Sequence, residues 1–137
     1  MTNKKLTILT CMDSRLDPIK IFGLAQREAH IIRNAGGRAT EDALNSIIVS
    51  QKILGTKEFW VIHHTQCLMG NMTNELMSEL PDSLRKSAFS DLEQSVIDDI
   101  ELIKNHELLA EDDIQVRGFI YDLEQNERHA DRPLQQP

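Results

Sequence analysis

Residues 6–15 read LTILTCMDSR, an apolar run that passes directly into a cysteine, an aspartate and an arginine. The run Leu6–Thr10 has the length and composition of a buried strand. Residues 59–67 read FWVIHHTQC and repeat this arrangement, with an apolar run followed by two histidines and the second cysteine. Both polar clusters therefore lie where a predicted strand ends, and the sequence has no cysteine outside them.

The two clusters contain ligand types that suit Zn²⁺. Zinc accepts sulfur, nitrogen and oxygen ligands and is usually four-coordinate. Cys11, Cys67 and His64, which precedes Cys67 by three residues, can converge on one ion, and Asp13 is a candidate fourth ligand. Arg15 can form a bidentate ion pair with Asp13, which lowers the carboxyl pKa and competes with the metal. We therefore predict a zinc site that Asp13 closes when it binds the ion and leaves open when Arg15 holds it.

The two cysteines are also compatible with roles that involve no metal. A cysteine or histidine after a strand is often an ordinary core residue. A disulfide between Cys11 and Cys67 requires an oxidising compartment, and the N-terminus does not resemble a signal peptide. A phosphatase-type nucleophile would need an arginine at position 17, where the chain has Asp17. A disulfide is therefore not favoured, and we expect a cytoplasmic protein.

Length and charge restrict the remaining classes. The 137 residues are predicted to form a single domain, 1–137. A net charge of -7 argues against a nucleic-acid partner, because phosphate binding depends on lysine and arginine. No apolar run approaches the roughly 20 residues that span a bilayer, so no membrane partner is expected.

Predicted strands alternate with predicted helices. Three further strands are predicted at Ala29–Arg33, Phe59–Ile62 and Val116–Asp122. Helices are predicted from Pro18 to about Leu24 after the Asp17 cap, from the Thr40 cap to Gly55, over Asn71–Leu80, and from a Ser90/Glu93 capping box to about Asn105. This alternation predicts an α/β fold with a mostly parallel central β-sheet flanked by helices, in which ligands bind at the carboxyl ends of the strands.

Side-chain periodicity and charge give further expectations. Apolar residues at helical spacing predict two core-facing stripes: Leu44, Ile47, Ile48 and Leu54 on the first long helix, and Leu92, Val96, Ile100 and Ile103 on the second. The acidic pairs Asp98-Asp99 and Asp112-Asp113 are expected to be solvated or to cap helices. Arg33 and Arg38 are expected to be ion-pairing surface groups. His63 and His30 are candidate proton acceptors by residue type, with structural or surface roles favoured. The tail from Glu124 to Pro137 has little to bury.

At these residues the chain resembles a known family. Cys11-x-Asp13-x-Arg15 with His64-x-x-Cys67 is similar to the zinc signature of the β-class carbonic anhydrases, most of all their short bacterial members. The sequence IRNAGG at residues 32–37 resembles that family's characteristic turn, and the likeness continues through RGF at residues 117–119 to Asp122.

The resemblance implies a function and an assembly. It implies a zinc lyase that catalyses the reversible hydration of carbon dioxide to bicarbonate and a proton. Zinc would be held by Cys11, His64 and Cys67, with Asp13 and Arg15 as the catalytic pair. The resemblance also implies a homodimer or a dimer of dimers.

The chain departs from the family pattern at three places. Leu68 stands where the family usually has glycine, and its side chain is expected to crowd the substrate pocket. Gln66 replaces a common acidic residue. Only a few residues precede the first strand, so we expect most of the family's N-terminal helical arm to be missing. Two other functions therefore stay open: hydrolysis of carbon disulfide or carbonyl sulfide, and a closed zinc domain with little or no catalysis.

Overall fold

The computed structural model describes residues 5–124, which form one parallel β-sheet with helices on both faces. The strands are β1 (Leu6–Cys11), β2 (Ala29–Asn34), β3 (Glu58–His64) and β4 (Gln115–Tyr121). They lie in the order β2-β1-β3-β4, and every pair is parallel. The predicted fold class is confirmed.

The helices are α1 (Pro18–Ile21), α2 (Glu41–Lys52), α3 (Asn74–Ser78) and α4 (Leu92–Lys104). Short 3₁₀ turns occupy Ala35–Gly37, Leu68–Gly70 and Asp82–Ser87. One core cluster packs the buried side of α2 and α4 against the sheet, and a second cluster on the other face includes Leu16, Trp60 and Phe119. No helix in residues 5–124 is long and apolar enough to cross a bilayer.

The alternation of side chains along β3 decides which histidine faces which side of the sheet. Phe59 and Val61 belong to the core cluster that contains α2 and α4, whereas Trp60 and Ile62 belong to the cluster on the other face. Successive residues of a strand point to opposite faces. His63 therefore points to the same face as Phe59 and Val61, where it bonds to Ser95 on α4. His64, the last residue of β3, points to the opposite face.

The ends of several helices differ from the prediction. The first helix begins at Pro18 as predicted but ends at Ile21, before Gly23, which takes a positive φ of 64°. The helix predicted over Asn71–Leu80 covers only Asn74–Ser78, because the Thr73 side chain accepts the Leu76 N–H and starts the helix there. Such shifts follow from which local cap forms.

The cap of α4 is also one residue later than predicted. Asp91, not Ser90, accepts the Gln94 N–H, at 3.1 Å. A carboxylate at this position also interacts favourably with the positive end of the helix dipole. The prediction that Leu54 belongs to the core-facing side of α2 is wrong, because this residue lies beyond the end of the helix and is 50% exposed. The predicted end of α4 near Asn105 is confirmed.

Gly118 allows α4 to pack closely on β4. A Cβ atom at this position would lie 2.5 Å from Val96 Cγ1 and 2.7 Å from Ile100 Cδ1. We expect Gly118→Ala to lower the free energy of unfolding by about 1–3 kcal/mol, the usual cost of overpacking a core. Urea unfolding measures this change. Adding Val96→Ala should recover part of the loss by making room, and a double variant whose loss equals the sum of the single losses would contradict the contact.

Candidate metal centre

Three buried side chains meet at the carboxyl edge of the sheet. Cys11 is the last residue of β1, His64 is the last residue of β3, and Cys67 follows three residues later. Because β1 and β3 are neighbours in the sheet, their ends lie side by side. One ligand atom from each of the three residues lies within 4.8 Å of the others. This spacing suits one metal ion.

The orientation of the His64 ring leaves one nitrogen for a ligand. Nδ1 lies 2.6 Å from the Thr65 carbonyl oxygen, so this nitrogen carries the hydrogen and donates it. Nε2 is buried and has no hydrogen-bond partner among the described residues. A neutral imidazole held in this way by a backbone carbonyl presents an unprotonated nitrogen, as metal-binding histidines do. The residues present therefore fit a metal ion.

The two thiols share a proton when no ion is bound. The pKa of the Cys11 thiol is lowered to about 3, chiefly by a hydrogen bond from Cys67 and also by the backbone N–H groups of Asp13 and Gly36. The same contact raises the pKa of Cys67, and burial raises it further. The pair thus holds one thiolate and one thiol, and a cation that binds both as thiolates releases the second proton.

Asp13 is held by Arg15 rather than by the three-residue group. Arg15 Nε and Nη2 donate to the two Asp13 carboxylate oxygens at 3.0 and 2.7 Å, and the Arg15 backbone N–H adds a third bond at 2.9 Å. This arginine holds the pKa of the Asp13 carboxyl below its usual range. Asp13 is not part of the group of possible metal ligands, so its role as a fourth ligand stays a prediction.

Gln66 supports Arg15 from the second cluster. Its side-chain oxygen accepts Arg15 Nη1 at 2.9 Å, and its carbonyl oxygen lies 3.4 Å from Nη2. Gln66 takes a positive φ of 57°, and both of its oxygens face the guanidinium. Gln66, which stands where the family commonly has an acidic residue, therefore helps to orient Asp13 and Arg15, the predicted catalytic pair.

Leu68 is 66% exposed and begins the turn that follows Cys67. Its side chain is not part of either core cluster. Met12, next to the other cysteine, is also mostly exposed. Crowding of a substrate pocket by Leu68 stays a prediction.

Several charged residues have other roles than predicted. Arg33 is exposed, as predicted, but its guanidinium donates to the backbone carbonyl oxygens of Cys11, Asp13 and Leu16 and so holds the backbone after β1. His30 is exposed on β2, in register with Thr7 at the opposite end of β1 from Cys11.

The prediction that Asp99 is solvated is wrong, and so is the prediction that Arg38 is a surface group. Asp99 is 1% exposed and pairs with the buried Arg38, and His63 Nε2 bonds to the Gly37 carbonyl and lies 3.1 Å from Asp99 Oδ2. Helical spacing could have placed Asp99 inside, because it lies on the same face of α4 as Val96 and Ile103.

The fold and the site define a class of protein: an α/β domain with a Cys-His-Cys centre at the carboxyl edge of a parallel sheet, where ligands of such sheets bind. A model of the carbonic anhydrase family matches residues 6–94, more than half of the chain. The chain belongs to the carbonic anhydrase family, and its relatives place it in the β class. The predicted resemblance is confirmed.

Three relatives illustrate the similarity. β-Carbonic anhydrase 1 of Mycobacterium tuberculosis is 44% identical over 73 residues, which cover 53% of this chain and 45% of that protein. A carbon disulfide hydrolase of Saccharolobus solfataricus is 34% identical over 153 residues, covering 89% and 74%. A carbonic anhydrase from Streptococcus mutans has a TM-score of 0.79 and 39% identity, covering 96% of this chain and 80% of that structure. The alignment thus spans less than half the length of the mycobacterial relative.

Proposed function

We propose that this protein is a zinc lyase that catalyses the reversible hydration of carbon dioxide to bicarbonate and a proton. Zn²⁺ would be held by Cys11, His64 and Cys67. The observation that carries the proposal is the buried Cys-His-Cys group in which His64 Nε2 has no partner among the described residues. Both known activities of its relatives, on carbon dioxide and on carbon disulfide, use small molecules with two double bonds at one carbon.

Asp13 and Arg15 would be the catalytic pair. When bound, zinc acts as a Lewis acid that makes hydroxide available near neutral pH. The ion pair with Arg15 keeps Asp13 ionised, so that this carboxylate can accept a hydrogen and fix its direction. Arg15 also occupies both carboxylate oxygens, which favours the open form of the site over the form with Asp13 as fourth ligand.

A specific observation favours carbon disulfide or carbonyl sulfide as the second candidate substrate. A carbon disulfide hydrolase, that of Saccharolobus solfataricus, aligns with 89% of this chain at 34% identity, so the fold of this chain is shared by enzymes named for either substrate. The exposed side chains of Met12 and Leu68 add apolar surface beside the cysteines, which suits an apolar substrate. A closed zinc domain is the remaining candidate and requires Asp13 to leave Arg15.

Zinc content and stopped-flow carbon dioxide hydration between about pH 6 and pH 9 test the proposal. We expect one zinc per chain and measurable hydration. Leu68→Gly is the informative variant, because it removes the apolar side chain next to Cys67, and we expect it to raise hydration and to lower any activity on carbon disulfide. Zinc present with both proteins inactive across this range would instead support the closed domain. Absence of zinc with both thiols freely alkylated would contradict every zinc-based function.

The assembly and extent of the protein are also proposals. We propose that residues 1–137 belong to one domain and that the chain forms a homodimer or a dimer of dimers. β-Carbonic anhydrases of Sordaria macrospora, which share the fold at 15% identity, are tetrameric. Light scattering coupled to size-exclusion chromatography measures the assembly of this chain. A cytoplasmic location stays a prediction.

A further inference from the structure

Three buried polar residues form a cluster next to the metal centre that the proposed reaction does not use. We call Arg38, His63 and Asp99 the buried charge cluster. Arg38 Nε and Nη2 donate to the two oxygens of Asp99 at 2.9 and 3.2 Å, and Asp99 Oδ2 lies 3.1 Å from His63 Nε2. Arg38 is 8% exposed, and the other two are 1% exposed. Burying such charges costs free energy that apolar residues of similar volume would not cost.

The cluster is bonded to the turn at Gly36 and Gly37. His63 Nε2 bonds to the Gly37 carbonyl oxygen at 3.0 Å and therefore carries a hydrogen, and Asp99 Oδ2 lies beside this N–H at 3.1 Å from Nε2. His63 Nδ1 lies 2.8 Å from Ser95 Oγ, which fixes the other side of the ring. With both nitrogens engaged and the ring buried, His63 is placed to hold this turn and not to exchange protons with solvent.

The turn at Gly36 and Gly37 also contacts Cys11. Gly37 packs so closely on the end of β1 that a Cβ atom would lie 2.7 Å from the backbone nitrogen of Cys11. The backbone N–H of Gly36 lowers the pKa of the Cys11 thiol, which places this N–H beside the Cys11 sulfur. A hydrogen bond to a thiolate orients it and changes its strength as a metal ligand.

Phe89 connects the same cluster to the second thiol. The Phe89 ring stacks on His63 with ring centroids 6.0 Å apart, and the Arg38 guanidinium lies 5.5 Å from its centroid. Its backbone N–H donates to the Met69 carbonyl at 3.1 Å, and a Cβ atom on Gly70 would lie 2.7 Å from its ring. The Gly70 backbone N–H donates to the Cys67 carbonyl oxygen at 3.0 Å, and the backbone N–H groups of Met69 and Gly70 also act on the Cys67 thiol, where they oppose the rise of its pKa.

We propose that the buried charge cluster is a positioning device for the metal centre. Through Gly37 and Phe89 it holds the two turns that direct backbone N–H groups at the Cys11 and Cys67 sulfurs. It thereby sets the affinity for the ion and the donor strength of both thiolates. This inference rests on the proposed metal centre but not on the identity of the substrate.

Two substitutions of His63 form a matched pair for the test. A glutamine at position 63 can place its amide nitrogen near the position of Nε2 and donate to the Gly37 carbonyl, whereas the shorter asparagine cannot reach it. Cobalt(II) is the probe, because its thiolate-to-metal charge-transfer band reports the hydrogen bonding of the sulfurs. Ser50→Ala is the control: it breaks a buried hydroxyl chain to Thr7 and Thr56 that lies away from the site.

We expect His63→Asn to bind cobalt(II) about 10–100-fold more weakly, the usual effect of losing a group that orients a metal ligand, and to shift the charge-transfer band to longer wavelength. His63→Gln should stay near the wild-type affinity and band position, as should Ser50→Ala. If His63→Asn does not fold, Asp99→Asn makes the same comparison, because it keeps the side-chain size and removes the charge that orients the His63 N–H.

Three outcomes would overturn the inference. One is a His63→Asn or Asp99→Asn protein with wild-type affinity and band position. Another is an equal change in Ser50→Ala, which would show a general response to lost stability. Wild-type protein that binds neither cobalt nor zinc would overturn the metal centre itself, and with it this inference. A change confined to the cluster variants supports it, even if the wild type fails to hydrate carbon dioxide.

Discussion

His64→Ala is expected to abolish stoichiometric zinc binding and, with it, carbon dioxide hydration. His64 Nε2 is the nitrogen ligand of the proposed centre and has no other partner among the described residues. Substituting a residue that only orients a metal ligand lowers metal affinity or activity by about 10–100-fold. Removing the ligand itself should therefore lower the zinc affinity by at least on the order of 100-fold. Metal analysis after dialysis and competition with a chromophoric chelator measure the affinity.

His30→Ala is the matched control for this experiment. It removes the same side chain from an exposed position on β2, and we expect it to keep the zinc content and activity of the wild type. Zinc should also raise the unfolding temperature of the wild type and of His30→Ala but not of His64→Ala, because only a ligand that binds the native state stabilises it. A folded His64→Ala protein that retains one tightly bound zinc would contradict the ligand assignment.

Gly37→Ala is expected to have the largest effect on stability of any single methyl addition at the site. Gly37 has a φ of 65°, and a Cβ atom would lie 2.7 Å from Cys11 N and from Thr10 C. The positive φ alone costs roughly 1–2 kcal/mol for a residue with a side chain. The contact with backbone atoms adds to this cost, because the end of β1 must move. We expect a total loss of several kcal/mol and a lower zinc content.

Gly23→Ala separates the two costs. Gly23 has nearly the same φ, 64°, but a Cβ atom there would have nothing within 4 Å. Its substitution should therefore cost only the conformational part, with no effect on zinc. Urea unfolding of both variants gives the difference, and equal losses would show that the close approach of Gly37 to Cys11 has no energetic consequence.

The sequence was sufficient to predict the fold and to single out the three side chains that the structure brings together at the edge of the sheet, for a common physical reason. Buried parallel strands are short apolar runs, and a polar cluster directly after two of them marks the edge where such sheets bind ligands. The β1 and β3 runs were therefore recognisable, and Cys11, His64 and Cys67 followed from them. The roles proposed for these residues still rest on the experiments above.

The buried charge cluster could not be found in the same way. A single aspartate in a helix is most often solvated, and Asp99 is buried only because Arg38 and His63 supply partners from elements distant in sequence. Such a triad needs the tertiary contacts of three separate segments. The cap of α4 was misplaced for a more local reason, since Ser90 and Asp91 are adjacent and both can cap a helix.

Because β1 and β3 are parallel neighbours, the chain must pass through β2 and α2 before their ends can meet. In the proposed centre, Cys11 and His64 are more than 50 positions apart, so an ion would meet all three ligands together only after this long-range pairing has formed. Full coordination of the metal would then follow formation of the sheet. An interaction made after the rate-limiting step slows unfolding and leaves the folding rate nearly unchanged, so the ion would act chiefly on the lifetime of the native chain.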